Sequence, residues 1–173
     1  YLGLGSSASR ELVLGVAAQL GTLPVNVVAP VRHYLHADDT LPANVHVTEL
    51  LPAHLLGGVV DAAVLHGGQG TVQTACATGI PFVGIGLQPE QVWNVDICVA
   101  QGNAIALSPR RATTPALVDA VRRVLAEPAF GAEAQRVRRA FAAEDGAAAA
   151  ARIVEAEIGE DMDSDASARG LDK

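Results

Sequence analysis

Four short runs limit what this chain can fold into: VNVVA at 25–29, DAAVL at 61–65, PFVGI at 81–85 and AIAL at 104–107. Apolar residues in them are near-continuous rather than alternating, and turn-forming Gly, Pro or Asn residues stand close by. A strand that is apolar on both sides has to be covered on both sides. That condition is met by a parallel sheet with helices above and below it. Two further segments, Tyr1 to Leu4 and Val45 to Glu49, read as strands, and Pro52 to Leu56 as a short helix. Helical spacing fills the intervals: Leu12, Val16 and Leu20 within Glu11–Leu20, then Gly70 to Thr78, Pro89 to Ala100, and Leu117, Val121 and Leu125 within Thr114–Glu127. Ala-rich helices continue to about Ile158. The order predicts an α/β domain over residues 1–158, a Rossmann-like parallel sheet of about six strands with helices on both faces. Residues 159–173, acidic and rich in Ser, Asp and Gly, predict a disordered tail.

Composition narrows the partners. Aromatics make up only 3% of 173 residues, so the core has to be built from Ala, Val, Leu and Ile. A net charge of -7 argues against nucleic acid, whose phosphates demand a basic face. No apolar stretch of about 18 residues runs uninterrupted, so no membrane span is expected, and no signal peptide is visible. Tyr1 opens directly on a strand-like run, so the chain reads as a piece of something longer. Cys76 and Cys98 lack a CxxC spacing and read as reduced, buried small residues, which points to a cytoplasmic location.

The segment HGGQGT, residues 66 to 71, falls where the fourth strand hands over to a helix. In a parallel sheet that is the carboxyl end, where ligands bind. Glycines let the main chain approach a ligand closely, and a first helical turn offers unpaired N–H groups with a partial positive charge. His66, Gly67, Gly68, Gly70 and Thr71 are therefore candidates for a diphosphate site, with the Thr71 hydroxyl as one more donor. A second Gly/Ser turn, GLGSSAS at 3–9, follows the first strand. In a sheet of order 3-2-1-4 the first and fourth strands are neighbours, so Gly5, Ser6 and Ser7 would face the same crevice. Dinucleotide binding fits poorly: Ala8 stands where a third glycine would fall, and the second strand ends Val28-Ala29-Pro30 without an acidic residue.

HGGQGT, then TGIP, then PEQVWN at this spacing resembles the carboxyl-terminal half of a GT-B glycosyltransferase, the half that binds the nucleotide sugar. The similarity is to the bacterial UDP-glycosyltransferase-like enzymes of natural-product biosynthesis, and LPANVHVTELLPAHLL and GNAIALSP extend it over nearly the whole chain. The resemblance implies that His66 contacts the phosphate nearest the nucleoside and that Gly68, Gly70 and Thr71 cradle the diphosphate. Ser6 or Ser7 would reach the distal phosphate. Glu90 and Gln91 match the acidic-Gln pair that binds hydroxyls of the donor sugar. Leu50 stands where relatives carry an aromatic over the base, and the main chain at Leu51 would read the base edge. The implied reaction is inverting and metal-independent, with a dTDP or UDP sugar as substrate and no cofactor. An amino-terminal acceptor domain, absent from this chain, would supply the general base, so the isolated piece is expected to be inactive.

Departures from the pattern are Leu50, Ala53, Thr74 in place of a ribose-holding Glu, and Gly86 in place of Pro. They leave a nucleotide-sugar epimerase of the same architecture, or a non-catalytic nucleotide-binding partner, as alternatives. RHYLHADD at 32–39 is a polar loop rather than a metal site. Trp93 and Phe130 are expected in core or interdomain packing.

Overall fold

The computed structural model describes residues 1–143 and 145–168, with side chains as far as Ile158; Glu144 and residues 169–173 lie outside the described residues. The strands are β1 (Leu2–Gly3), β2 (Val27–Ala29), β3 (Val45–Val47), β4 (Ala63–Leu65), β5 (Phe82–Gly84) and β6 (Ala104–Ala106). The helices are α1 (Arg10–Leu20), α2 (Gln69–Thr78), α3 (Pro89–Gln101), α4 (Pro109–Ala112), α5 (Pro115–Ala126), α6 (Pro128–Ala143) and α7 (Gly146–Ala168). Single 3-10 turns lie at Arg32–Tyr34 and Ala53–Leu55.

The six strands among the described residues run parallel, in two ladders. One has the order β1-β4-β5-β6, and β2 and β3 form a separate pair. Among the described residues β1 has no ladder to β2; β1 is two residues long and is followed by the turn at Gly5, whose φ is +57°. The pairing that matters for function is present. Leu2 lies opposite Val64 and Gly3 opposite Leu65, so β1 and β4 finish side by side.

The pleat sends successive side chains to opposite faces. Val64 and Val83 join a core with Leu2, Val13, Val16, Leu117 and Val121, beneath α1 and α5. Ala63, Leu65 and Phe82 face a second core with Val72, Cys76, Val95, Cys98 and Val137, beneath α2, α3 and α6. Both faces are thus covered, which is why the strands carry no polar alternation.

Helix ends follow local chemistry. Ser9 caps α1 by accepting from Leu12 N at 3.2 Å, and Thr114 caps α5 with Pro115 at its first position. Gly79 and Gly102 close α2 and α3 in the left-handed conformation. The Ser108-Pro109 pair starts α4, a helix not anticipated from the sequence although the same start signal is present. On α5 the buried face contains Val124 rather than Leu125.

Residues Tyr1–Arg139 make one compact unit and Ala140–Lys173 a second. In the second, Asp145 caps α7 by accepting from Ala148 N at 3.0 Å. The tail expected at 159–173 falls where side chains are not described, and residues 169–173 are outside the described residues. Among the described residues no helix is long and apolar enough to cross a membrane.

Candidate functional site

Because β1 and β4 are neighbours, the turns that leave their carboxyl ends meet. His66 N donates to Gly3 O at 3.3 Å, extending the ladder by one step. The His66 ring then folds back, and its Nδ1 lies 3.2 Å from the same carbonyl. A carbonyl oxygen only accepts, so Nδ1 carries a proton, and the tautomer this selects for an uncharged ring leaves the lone pair on Nε2.

The ring is held between bare backbone. A Cβ at Gly5 would stand 2.5 Å from His66 Cε1, and one at Gly68 would stand 2.3 Å from Nε2. Gly67, at φ +81°, could not carry a side chain either, since its Cβ would meet Gln91 O at 2.6 Å. Gly70 differs: a Cβ there meets nothing within 4 Å, because it points into open space.

That space is a cleft of about 410 Å³ lined by Gly5, Ser6, His66, Gly68, Gly70, Thr71 and Thr74, among others. No carboxylate lines it. Helix α2 opens onto it with Gly68 as cap, a residue with no side chain to satisfy the first N–H groups. The amides of Gly70 and Thr71 are therefore left for a ligand, at the positive end of the helix dipole. The expected Thr71 hydroxyl donor is corrected, since that hydroxyl donates to Gly68 O at 2.8 Å and its hydrogen is already used.

Ser7 and Gln91 are joined. Gln91 is 3% exposed; its Oε1 accepts from Leu87 N at 3.1 Å and its Nε2 donates to Ser7 Oγ at 3.2 Å. Most of the amide thus ties the turn before α3 to the Gly/Ser turn, leaving one N–H for a ligand. Glu90 is exposed on the first turn of α3, where a carboxylate suits the helix dipole. Leu50, 87% exposed, and Leu51 border a second depression of about 320 Å³, which shares Gly5 and Thr71 with the first. Ser7, Gly67, Glu90 and Gln91 do not line the main cleft.

Two residues not singled out from the sequence hold the turns. Tyr34 OH donates to Gly5 O, and Asn94 Nδ2 donates to Gly67 O at 3.0 Å. The loop carrying Tyr34 is fixed to α1 by Arg10, whose guanidinium makes two hydrogen bonds to the largely buried Asp39 carboxylate. Arg10 holds the Asp39 carboxyl below its usual range, helped by the amide of His36. RHYLHADD is thus a brace for the Gly5 turn, and no group of three or more metal-ligating side chains occurs among the described residues.

Away from the cleft, Trp93 is 67% exposed and no part of the core, whereas Phe130 packs against it. Cys76 and Cys98 are free and buried, with their sulfurs 3.9 Å apart. Their shared hydrogen bond lowers the Cys76 thiol and raises that of Cys98, which burial raises further.

Parallel strands with a bare-backbone cleft at their carboxyl ends are the architecture of a nucleotide-binding α/β domain. The chain belongs to the family described as "Erythromycin biosynthesis protein CIII-like, C-terminal domain", whose model matches residues 14–157. It is 35% identical over 154 residues to the 4'-demethylrebeccamycin synthase of Lentzea aerocolonigenes, covering 88% of this chain and 36% of that protein. To a PGL/p-HBAD biosynthesis glycosyltransferase of Mycobacterium tuberculosis it is 31% identical over 141 residues, covering 82% and 33%. Among solved structures, the spinosyn rhamnosyltransferase SpnG complexed with thymidine diphosphate matches with a TM-score of 0.76 at 26% identity, covering 89% of this chain and 44% of that one. The chain therefore spans about a third of the length of the curated relatives it matches. Its fold is that of one half of a GT-B glycosyltransferase.

Proposed function

We propose that this chain is the donor-binding half of an inverting, metal-independent glycosyltransferase. It would move a sugar from a dTDP or UDP sugar to a small-molecule acceptor held by an amino-terminal domain that also supplies the general base. The observation that carries this reading is the convergence of the two glycine turns on the His66 ring, over a cleft with free amides and no carboxylate. SpnG, which shares the fold, is described as binding thymidine diphosphate, and relatives named as transferases favour transfer over epimerisation.

In this account His66 and the amides of Gly70 and Thr71 hold the diphosphate, with Gly67 and Gly68 shaping the cradle. Gly5 and Ser6 meet it from the other turn, and Ser7 does so with Gln91 behind it. Leu50 covers the base, and the Leu51 main chain reads its edge. Glu90, with the remaining Gln91 N–H, takes hydroxyls of the sugar. Breaking the sugar–phosphate bond leaves additional negative charge on the diphosphate, and donors already pointing there stabilise it without reorganising. That job asks for no cofactor and no metal. Two free thiols in contact suit a reducing cytoplasm.

Thermal shift with dTDP, UDP and GDP tests the reading. Stabilisation by dTDP or UDP, and its loss in His66→Ala, is expected; no shift with any of the three refutes it.

A further inference from the structure

We infer that His66 grips the diphosphate as an imidazolium, so that nucleotide binding takes up a proton at Nε2 of this residue. The inference rests on the cleft being a diphosphate site and adds the charge state in which it works. Nδ1 is committed: it donates to Gly3 O at 3.2 Å, and the main-chain N–H of the same residue donates to that carbonyl as well. The ring cannot turn over to offer the other nitrogen without breaking this bond, and the backbone of Gly5 and Gly68 comes close to its Cε1–Nε2 edge.

What faces the ligand is Nε2. In the neutral ring it bears a lone pair, which repels a phosphate oxygen; in the imidazolium it bears a second N–H, which donates to one. A phosphate at this position therefore favours the protonated ring. The diphosphate oxygens of a nucleotide sugar carry no exchangeable proton near neutral pH, and the terminal phosphate of thymidine diphosphate has lost its second proton above about pH 7, so the proton comes from solvent.

No neighbouring side chain supplies the charge instead. Among the residues lining the cleft, only Tyr1 and His66 titrate. The titratable and charged groups on the elements packed around the ring are Tyr1 beside β1, Arg10 and Glu11 on α1, Tyr34 behind Gly5, Cys76 on α2, and Glu90, Asp96 and Cys98 on α3. Arg10 is paired with Asp39, and Tyr34 is engaged with Gly5 O. The described hydrogen bond of the His66 side chain goes to Gly3 alone.

The test is titration calorimetry of this chain with thymidine diphosphate, in buffers of equal pH and different ionisation enthalpy. Expected is an uptake approaching one proton per nucleotide above neutral pH, with affinity falling up to about tenfold per pH unit as pH rises. His66→Gln, whose amide donates without a charge, should bind more weakly and lose the uptake. If that variant fails to fold, ring ¹⁵N shifts of the parent decide: Nδ1–H alone when free, both nitrogens protonated when bound. Heats independent of buffer, or the same uptake in His66→Gln, overturn the inference while the diphosphate reading stands. No binding at all overturns that reading and this inference with it.

Discussion

Replacing Gly68 by alanine tests the cradle through a single methyl group. The backbone at Gly68 has φ -62° and ψ 144°, which alanine adopts without strain, so any effect comes from the new Cβ. That carbon would lie 2.3 Å from His66 Nε2, against an ordinary contact of 3.4 Å or more. The ring has to retreat by roughly 1 Å. Gly5 limits the retreat, since its own backbone stands close to the same Cε1–Nε2 edge of the imidazole. The hydrogen bond from Nδ1 to Gly3 O is then stretched or lost, at about 0.5–1.5 kcal/mol of stability. Nε2 also leaves the position from which it meets a phosphate, and a hydrogen bond to a charged group contributes about 1.5–3 kcal/mol. Calorimetry with thymidine diphosphate should show affinity reduced by about 10- to 150-fold, in a protein whose melting temperature falls by only a few degrees. A folded Gly68→Ala protein that binds as tightly as the parent would refute the placement of His66 at the phosphate.

Gly70→Ala is the companion case. With nothing within 4 Å of the new methyl, the helix should gain about 0.5–1 kcal/mol, seen as a higher urea midpoint, while nucleotide affinity falls because the methyl occupies the cleft. Tyr34→Phe removes the hydroxyl that donates to Gly5 O; stability should drop by about 0.5–1.5 kcal/mol and nucleotide affinity severalfold, and unchanged affinity would remove Tyr34 from the brace. Asp39 has its folded pKa lowered, so the stability from its pairing with Arg10 is fully present above the unfolded value, about 3.9, and is lost as pH falls through the lower folded value. Urea unfolding should therefore show a constant deficit for Asp39→Asn from about pH 7 to 5 that shrinks below about pH 4. A deficit that grows in acid contradicts the assignment.

Much of the fold could be read along the chain because its signals are local. Near-continuous Val, Ile and Leu runs mark strands buried on both faces, and the spacing of Leu12, Val16 and Leu20 marks the inward side of α1. The two glycine turns could be assigned to one crevice from strand order alone, and the pairing of Gly3 with Leu65 puts them there. Features that escaped depend on bonds between distant residues. Tyr34 reaches Gly5 across 29 positions and Asn94 reaches Gly67 across 27, with no periodicity to announce either. The Thr71 hydroxyl is a local exception: it bonds back three residues to the Gly68 carbonyl, which also accepts the first helical bond from Val72 N. Gln91 looked like a sugar ligand, and only three-dimensional packing shows its amide divided between Leu87 and Ser7. The absence of a ladder between β1 and β2 is a matter of strand geometry that the apolar character of Leu2 to Leu4 does not disclose.

The most direct test is an amide ¹H–¹⁵N spectrum of the ¹⁵N-labelled chain during titration with thymidine diphosphate. The largest shifts should fall on Gly5, Ser6 and Ser7 and on Gly68, Gly70 and Thr71, rising together with one binding constant. Shifts confined to one of the two turns, or clustered away from both, contradict a pyrophosphate grip made by the pair.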